Sequence, residues 1–344
     1  MSVLDIFNQD AFSVRTLTDS INKLPFVPGR AGQVIDWNEQ GITTTTIMVE
    51  EIDGVLTIIN PSGRGGDGVT VAKQKRTARA FVVPHYQVDD AMMADEVQNV
   101  RAFGSENAVE DLSTMINNRM AQHVSWRLDP TLEYQRLGAL KGIILNADGT
   151  TLYNLFTEFG VTQEATIDFN LDATTDTGAI RGVCADAIDL IADNLGGITF
   201  TGVNAFCGKN FFKSLISNIE VRNTYKNTPM AQVLREGYVD PNTGNKIYGA
   251  FEFGGIIFES YRGKNGTTPF VGDDEVRIFP VGTPGLYRTV NAPADFLGQP
   301  NSVGLPRYTR MWPMTNGKGM HLEVQSNSLS YCTRPKVLLQ GTTT

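Results

Sequence analysis

The chain has 344 residues, 41% of them hydrophobic, with 29 Lys and Arg against 37 Asp and Glu and a net charge of −8. That length allows about two domains with a real core, and the negative balance argues against a protein that grips phosphates, which needs clustered Lys and Arg. No apolar run approaches the ~20 residues of a membrane helix, and MSVLDIFNQDAF lacks the basic start and unbroken apolar stretch of a signal peptide. Cys184, Cys207 and Cys332 are far apart and odd in number. They fit neither a disulfide framework nor a zinc spacing, and read as buried thiols kept in a reducing cytoplasm. The 34 glycines imply many turns and close backbone approaches.

Residues 1 to 35 hold Phe7, Phe12, Leu17, Ile21, Leu24 and Phe26, too many apolar side chains for a free tail, while Pro25, Pro28, Gly29 and Gly32 break the segment up. Such an arm is expected to pack on its own body or on a neighbour. Residues 42–83 read as strands. TTTTIMVEE is β-branched, Asp53-Gly54 signals a hairpin and VLTII follows. After the loop NPSGRGGDG, VTVAKQKRTARAFVV reads as a long strand that places Val69, Val71, Lys73, Lys75, Thr77 and Arg79 on one face. Cations on a strand face either protect an edge or dock on an acidic surface, and the sequence leaves both open.

The segment from Asp89 to Gly142 carries the longest helical pattern, with Val97, Val100 and Phe103, then Ala108, Leu112, Met115, Ile116 and Met120 at helical spacing. Ser105 can cap a second run, and Asp129-Pro130 is a further start signal. The expectation is one interrupted rod over Asp90 to Arg127, with Asp89 and Asp90 as N-cap acids, then a short helix to Leu140. Residues 85–111 hold seven acids, including Asp89, Asp90, Asp95 and Glu96, against Arg101 alone. Residues 64–79 hold five bases, Arg64, Lys73, Lys75, Arg76 and Arg79, against Asp67. A projecting β-loop could carry its cations to the acidic rod of another copy. Exposed pairs, at about 0–1 kcal/mol each, would set register and on-rate more than affinity.

After the rod, a hairpin is expected over Gly142–Phe159 with Asp148-Gly149 at its turn. An amphipathic helix follows over Asp176–Leu195, with Asp176 as N-cap, a face of Ile180, Val183, Cys184, Ala187, Ile188, Ile191 and Leu195, and Gly196-Gly197 at its end. Next come a buried strand Val203–Cys207, helices over Asn210–Ser217 and Met230–Glu236, and the strands KIYGAFEF, GIIFESY and EVRIFPV. NAPADFLGQPNSVGLP reads as a connection. RYTRMWPM and MHLEVQ flank an Asn316-Gly317 turn, and SLSYCTRPKVLL forms a last strand. Without a regular βαβ repeat, α+β is the expected class.

Catalytic signals are sparse. Gly63-Arg64-Gly65-Gly66-Asp67-Gly68 spells GxGxxG, but a strand follows where the phosphate-binding mechanism needs a helix. Walker, nucleophile-elbow, zincin and EF-hand patterns are missing from the sequence. His85, Asp89 and Asp90 form its one His/Asp cluster, on which a hydrolase reading would rest, although convergent partners are wanting. No cofactor or metal is implied.

An arm, a β-loop, a long rod and a mixed body suggest a shell subunit, and the sequence resembles the lambda-like major capsid proteins, the phage capsid protein E family. The resemblance runs over nearly the whole chain. It is carried by VEEIDGVLTII with GRGG, FVVPHYQVDDAMMADEVQNVRAFG, LEYQRLGALKG, AFCGKNFF, FEFGGIIFESYRG with IFPVG, and EVQSNSLSYCTRPKVLL. It implies the tailed-phage and herpesvirus major capsid fold (Hong Kong 97-type), with an N-arm at 1–35, an extended β-loop at 36–82, a peripheral domain with a spine helix at 83–197, an axial domain at 198–300 and returning C-terminal strands at 301–344. It also implies hexamers and pentamers of the same chain, a scaffold, a portal, in many members a decoration protein, and a shell around double-stranded DNA assembled in the host cytoplasm. A cellular nanocompartment shell of the same fold, carrying a protein cargo, is the alternative. The contact candidates between copies are Arg64, Lys73, Lys75, Arg76 and Arg79 against Asp89, Asp90, Asp95 and Glu96, with Phe7 and Phe12 of the arm.

Overall fold

The computed structural model describes residues 29–52, 76–97, 108–225, 238–239, 246–247, 249–265 and 268–344. The expectations for Phe7 and Phe12, the Asp53-Gly54 turn, Arg64, Lys73, Lys75, the Ser105 cap and the helix at 230–236 lie outside those residues.

A helical rod runs from Ala108–His123 through a π-helical turn, Val124–Leu128, into Asp129–Lys141. The expected break at Asp129-Pro130 is therefore corrected: Asp129 is helical, at φ −64 and ψ −44, and its N–H reaches back to the Val124 carbonyl. A proline inside an α-helix removes a hydrogen bond and crowds the carbonyl four residues back. The widened turn just before Pro130 accommodates that ring, and the Thr131 hydroxyl donates to the Arg127 carbonyl at 2.7 Å. The other end is corrected too. Asp89 and Asp90 cap no helix, because Tyr86–Met93 is a strand and the next helical turn is Ala94–Val97. Tyr86, Val88, Asp90 and Met92 alternate with Gln87, Asp89, Ala91 and Met93, a period of two that the carboxylates obscured.

That strand joins Tyr308–Pro313 and Gly319–Ser326 in an antiparallel sheet, with Gly319–Ser326 central. Its inner face lies on the rod: Met92, Leu322 and Val324 bury against Ile116, Met120, Val124 and Leu128. The expected Asn316-Gly317 turn joins its two C-terminal strands, with Gly317 at φ +66.

The larger core surrounds a mixed six-stranded sheet in the order Ala250–Phe253, Ile256–Ser260, Gly202–Cys207, Glu275–Val281, Leu339–Thr342, Ile167–Asp168. Phe206, Phe258, Ile278 and Phe279 of that sheet are buried with Ile180, Cys184, Ala187, Ile191 and Leu195 of the helix Ala179–Leu195. The helix begins three residues later than expected. Asp176 accepts from Asn223 at 2.8 Å, and the amides of Ile180 and Arg181 bond instead to the Glu220 carboxylate at 3.1 and 3.0 Å. A cap from a distant helix leaves no local trace in sequence. The expected last strand is split by a 3-10 turn at Pro335–Val337. Ser328–Cys332 pairs with Tyr287–Asn291, and Leu339–Thr342 enters the large sheet. All three cysteines are buried and free, and burial pushes the Cys184 and Cys332 thiols up to about 12, as expected of inert core thiols.

The rod ends at Gly142, where φ is +77 and a Cβ would enter the Phe156 ring. The hairpin Ile143–Leu145 and Thr151–Asn154 follows, shorter than the expected Gly142–Phe159, because Leu155–Phe159 is a helix whose Phe156 and Thr157 amides donate to the Asn154 side chain. Gly142→Ala is expected to cost about 2–4 kcal/mol, from left-handed strain plus overpacking. Denaturant unfolding should show a lower midpoint, and an unchanged midpoint would contradict this account of the helix end.

Candidate functional site

Three places in the structure collect the polar side chains of interest. The first is the buried end of the rod, where Glu133, Gln135 and Arg136 are each less than a tenth exposed. Glu133 Oε1 accepts from the Ala31 amide at 2.7 Å and from the Tyr261 hydroxyl at 2.9 Å. Burial, reinforced by the Glu133 and Glu259 carboxylates, drives the Tyr261 pKa far up, which keeps the phenol a donor. Gln135 donates to the Tyr86 hydroxyl and the Ser328 carbonyl. Arg136 pairs with Glu39 at 2.5 Å and lies over the Trp37 ring. The short helix Arg30–Val34 is thus pinned to the rod, and Arg30 binds Glu259 of the large sheet at 2.6 Å. Gly29 permits this approach, since a Cβ there would overlap the Glu133 carboxyl.

The second place is the inner side of strand Tyr86–Met93. Asp90 accepts from Arg119 at 2.5 Å and lies 2.8 Å from the His123 ring, and Arg119 also binds Glu96. Burial raises the Asp90 pKa, but the bonds from His123, Arg119 and the Ala91 amide outweigh it and hold the carboxyl below its ordinary value.

The third is the outer side of the same sheet. His85 lies 2.8 Å from Asn327 and 3.1 Å from Gln87, and Gln87 donates to Asp89 at 2.7 Å. Gln325 donates to Asp295 at 2.7 Å and to Glu323. Arg310 lies over the rings of Phe296 and Trp312, and Trp312 stacks on His321.

The candidates from sequence therefore separate. His85 and Asp89 share the outer face and Asp90 takes the inner one, so the three do not converge on a substrate as the hydrolase reading requires. Arg76 lies on strand Arg76–Val82, paired with Thr46–Ile52. Arg79 faces Val49, which is buried, and a Cβ at Gly160 would stand 3.2 Å from its Nη2, so its side chain lies against its own body. Asp95 is exposed. Sequence reasoning passed over Glu133, Glu259, Glu323 and Asp295. A polar run with no helical period in LEYQR, and a carboxylate inside the apolar MHLEVQ, were the available signals.

The family described as phage major capsid protein E matches residues 13–343. The major capsid protein of Pseudomonas phage KPP10 is 25% identical over 355 residues, covering 97% of this chain and 97% of the relative. The major capsid protein of Salmonella phage Felix O1 is 23% identical over 354 residues, covering 95% of each. Among solved structures, a prophage capsid protein from E. coli CFT073 superposes with a TM-score of 0.57 at 13% identity, covering 96% of this chain and 99% of that one.

The Asp90 bonds give a signed pH expectation. A depressed carboxyl contributes stability above its unfolded pKa of about 3.9 and loses it as pH falls through the folded value. The stability advantage of the wild type over Asp90→Asn should be full at pH 6 and shrink below about pH 4. Urea unfolding across that range checks it, and a difference independent of pH would contradict the assignment.

Proposed function

The chain belongs to the phage major capsid protein E family, and we propose that it closes into an icosahedral shell through repeated hexamer and pentamer contacts around double-stranded DNA. It is a structural major capsid protein of the tailed-phage type and not an enzyme. The observation that carries the proposal is the extent of the family match, residues 13–343. It takes in the rod and every described sheet, so the whole chain is the shell module. Both curated relatives are named as phage capsid proteins, which favours a genome shell over a cellular nanocompartment.

On this reading residues 1–35 are an arm and 36–82 a β-loop that reaches a neighbour. Residues 83–197 with the returning strands 301–344 form a peripheral domain, and 198–300 an axial one. The outside partners are a scaffold, a portal and a decoration protein, with assembly in the host cytoplasm and the virion as destination. A net charge of −8 suits a wall along which DNA must slide without being held by its phosphates. Phe7 and Phe12 would bury apolar area between copies. Arg64, Lys73, Lys75 and Arg76 would find carboxylates of a second copy. Asp90 and Glu96 are already engaged by Arg119, which leaves Asp89 and Asp95 as the accessible acceptors of the four.

Expressed with its scaffold and viewed by negative-stain electron microscopy, the chain should give closed shells, tubes, or rings of hexamers and pentamers. A monomer or dimer at every concentration would overturn the proposal.

A further inference from the structure

The rod also packs against a second three-stranded sheet, Asn38–Gly41, Tyr287–Asn291 and Ser328–Cys332, with Tyr287–Asn291 in the middle. Its register aligns Glu39 with Thr289 and Thr289 with Ser330, then Gly41 with Asn291 and Asn291 with Ser328. Residues aligned in this way share one face of a sheet. A face covered by a helix is ordinarily apolar. This one carries hydroxyls, an amide and a carboxylate, although Thr289, Asn291, Ser328 and Ser330 are all buried. A cavity of about 130 Å³ lies between that face and the start of the helix Asp129–Lys141.

The cavity collects oxygen atoms that the fold leaves unused. Asn291 and Ser328 are each 4% exposed, and neither side chain has a hydrogen-bond partner among the described residues. Both form walls of the cavity, so an occupant of it can reach them. Asp129 and Glu39 line it as well. Arg307 donates to Oδ1 of Asp129 at 2.7 Å, and Arg136 to Oε1 of Glu39 at 2.5 Å. The second oxygen of each carboxylate is without a partner among the described residues. Positive charge is short here. Arg136 is shared among Glu39, Glu133 and Asp129, and Arg307 adds a second guanidinium against those three carboxylates. Burial accordingly pushes the Asp129 pKa up, against the pull of Arg307 and Arg136. Among the described residues no three His, Cys, Asp or Glu side chains gather around a metal. Neutral oxygens must therefore complete the shell of any ion held here, which suits a hard cation. At about 30 Å³ for each water, the cavity has room for an ion and about three waters. Glu39, with its side chain 42% exposed, gives the way in from solvent.

We propose that this cavity, where Asp129, Glu39, Asn291 and Ser328 bring oxygens together between the rod and the sheet, binds a hydrated divalent cation, Ca2+ in preference to Mg2+. Ca2+ accepts carboxylate, amide and water oxygens in an irregular shell of about six to eight, whereas Mg2+ demands a near-ideal octahedron. The carboxylates here are already held by guanidiniums, so the ion that tolerates irregular geometry fits better. It ties together residues 39, 129, 291 and 328, which are far apart in the chain, and its binding free energy is then folding free energy for the junction. The site lies within one subunit and stands apart from the shell reading.

The full-length chain, treated with EDTA and dialysed into metal-free buffer, is titrated with CaCl2, with MgCl2 and with KCl at matched ionic strength, and its thermal midpoint is read at each step. Ca2+ should raise the midpoint saturably by at least about 3 °C, with Mg2+ weaker and KCl without effect. Asn291→Ala and Ser328→Ala separate the site from the fold. Each removes an oxygen that makes no hydrogen bond within the chain, so in EDTA each should unfold close to the wild-type midpoint. Each should also need at least about tenfold more Ca2+ for the same rise. A rise that KCl matches, or no rise, overturns the site. A Ca2+ response unchanged in both variants overturns it too, because the ion then binds elsewhere on the chain. Variants that lose as much stability in EDTA as in Ca2+ assign the two oxygens to packing and equally contradict the proposal. Should Asn291→Ala not fold, Ser328→Ala, the smaller change, decides. Tighter binding of Mg2+ than of Ca2+ overturns the choice of ion.

Discussion

Everything in this subunit is referred to the helix Asp129–Lys141, because that helix is buried on nearly every side and three of its polar side chains are claimed by different parts of the chain. Glu133 holds the short helix Arg30–Val34 and Tyr261, Gln135 holds Tyr86 and the strand Ser328–Cys332, and Arg136 holds Glu39 and Trp37. Removing one partner from a buried polar pair leaves the other unsatisfied, at about 1–3 kcal/mol for a neutral group and more for a charge. Such contacts are poor sources of net stability but strong determinants of which arrangement is allowed. The helix therefore acts as a register block: the segment entering from the N-terminus, the small sheet and the large sheet are each positioned against it.

The rod also divides the chemistry of the small sheet. On the inner face a carboxylate can exist only because Arg119 and His123 reach it from the helix. On the outer face Arg310 stands opposite Glu323 in register, and among the described residues Asp89, Glu323 and Asp295 have no ion pair.

Much of this was readable from periodicity. The helix Ala179–Leu195, the hairpin around Gly149, the Asn316-Gly317 turn and the buried strand ending at Cys207 follow from spacing and turn chemistry. The errors share one physical cause, which is that charged residues were assigned by local rules while the fold used them at long range. Asp89 and Asp90 looked like caps and are strand residues. Asp129 looked like a start signal and is paired with Arg307 from inside the helix. The first turn of the helix Ala179–Leu195 is satisfied by Glu220 rather than by Asp176. The outer carboxylate cluster was half visible, through Asp89. Its other members stand more than two hundred residues away and are joined to it only by strand register.

Hydrogen exchange on the unassembled chain tests the central position of Asp129–Lys141 most directly. Amides of a buried keystone should exchange only with global unfolding, at the same free energy as the central strands Gly202–Cys207 and Glu275–Val281. Amides of residues 133–141 that exchange by local opening, faster than those of Gly202–Cys207, would show that the sheets hold together without this helix and would contradict the account.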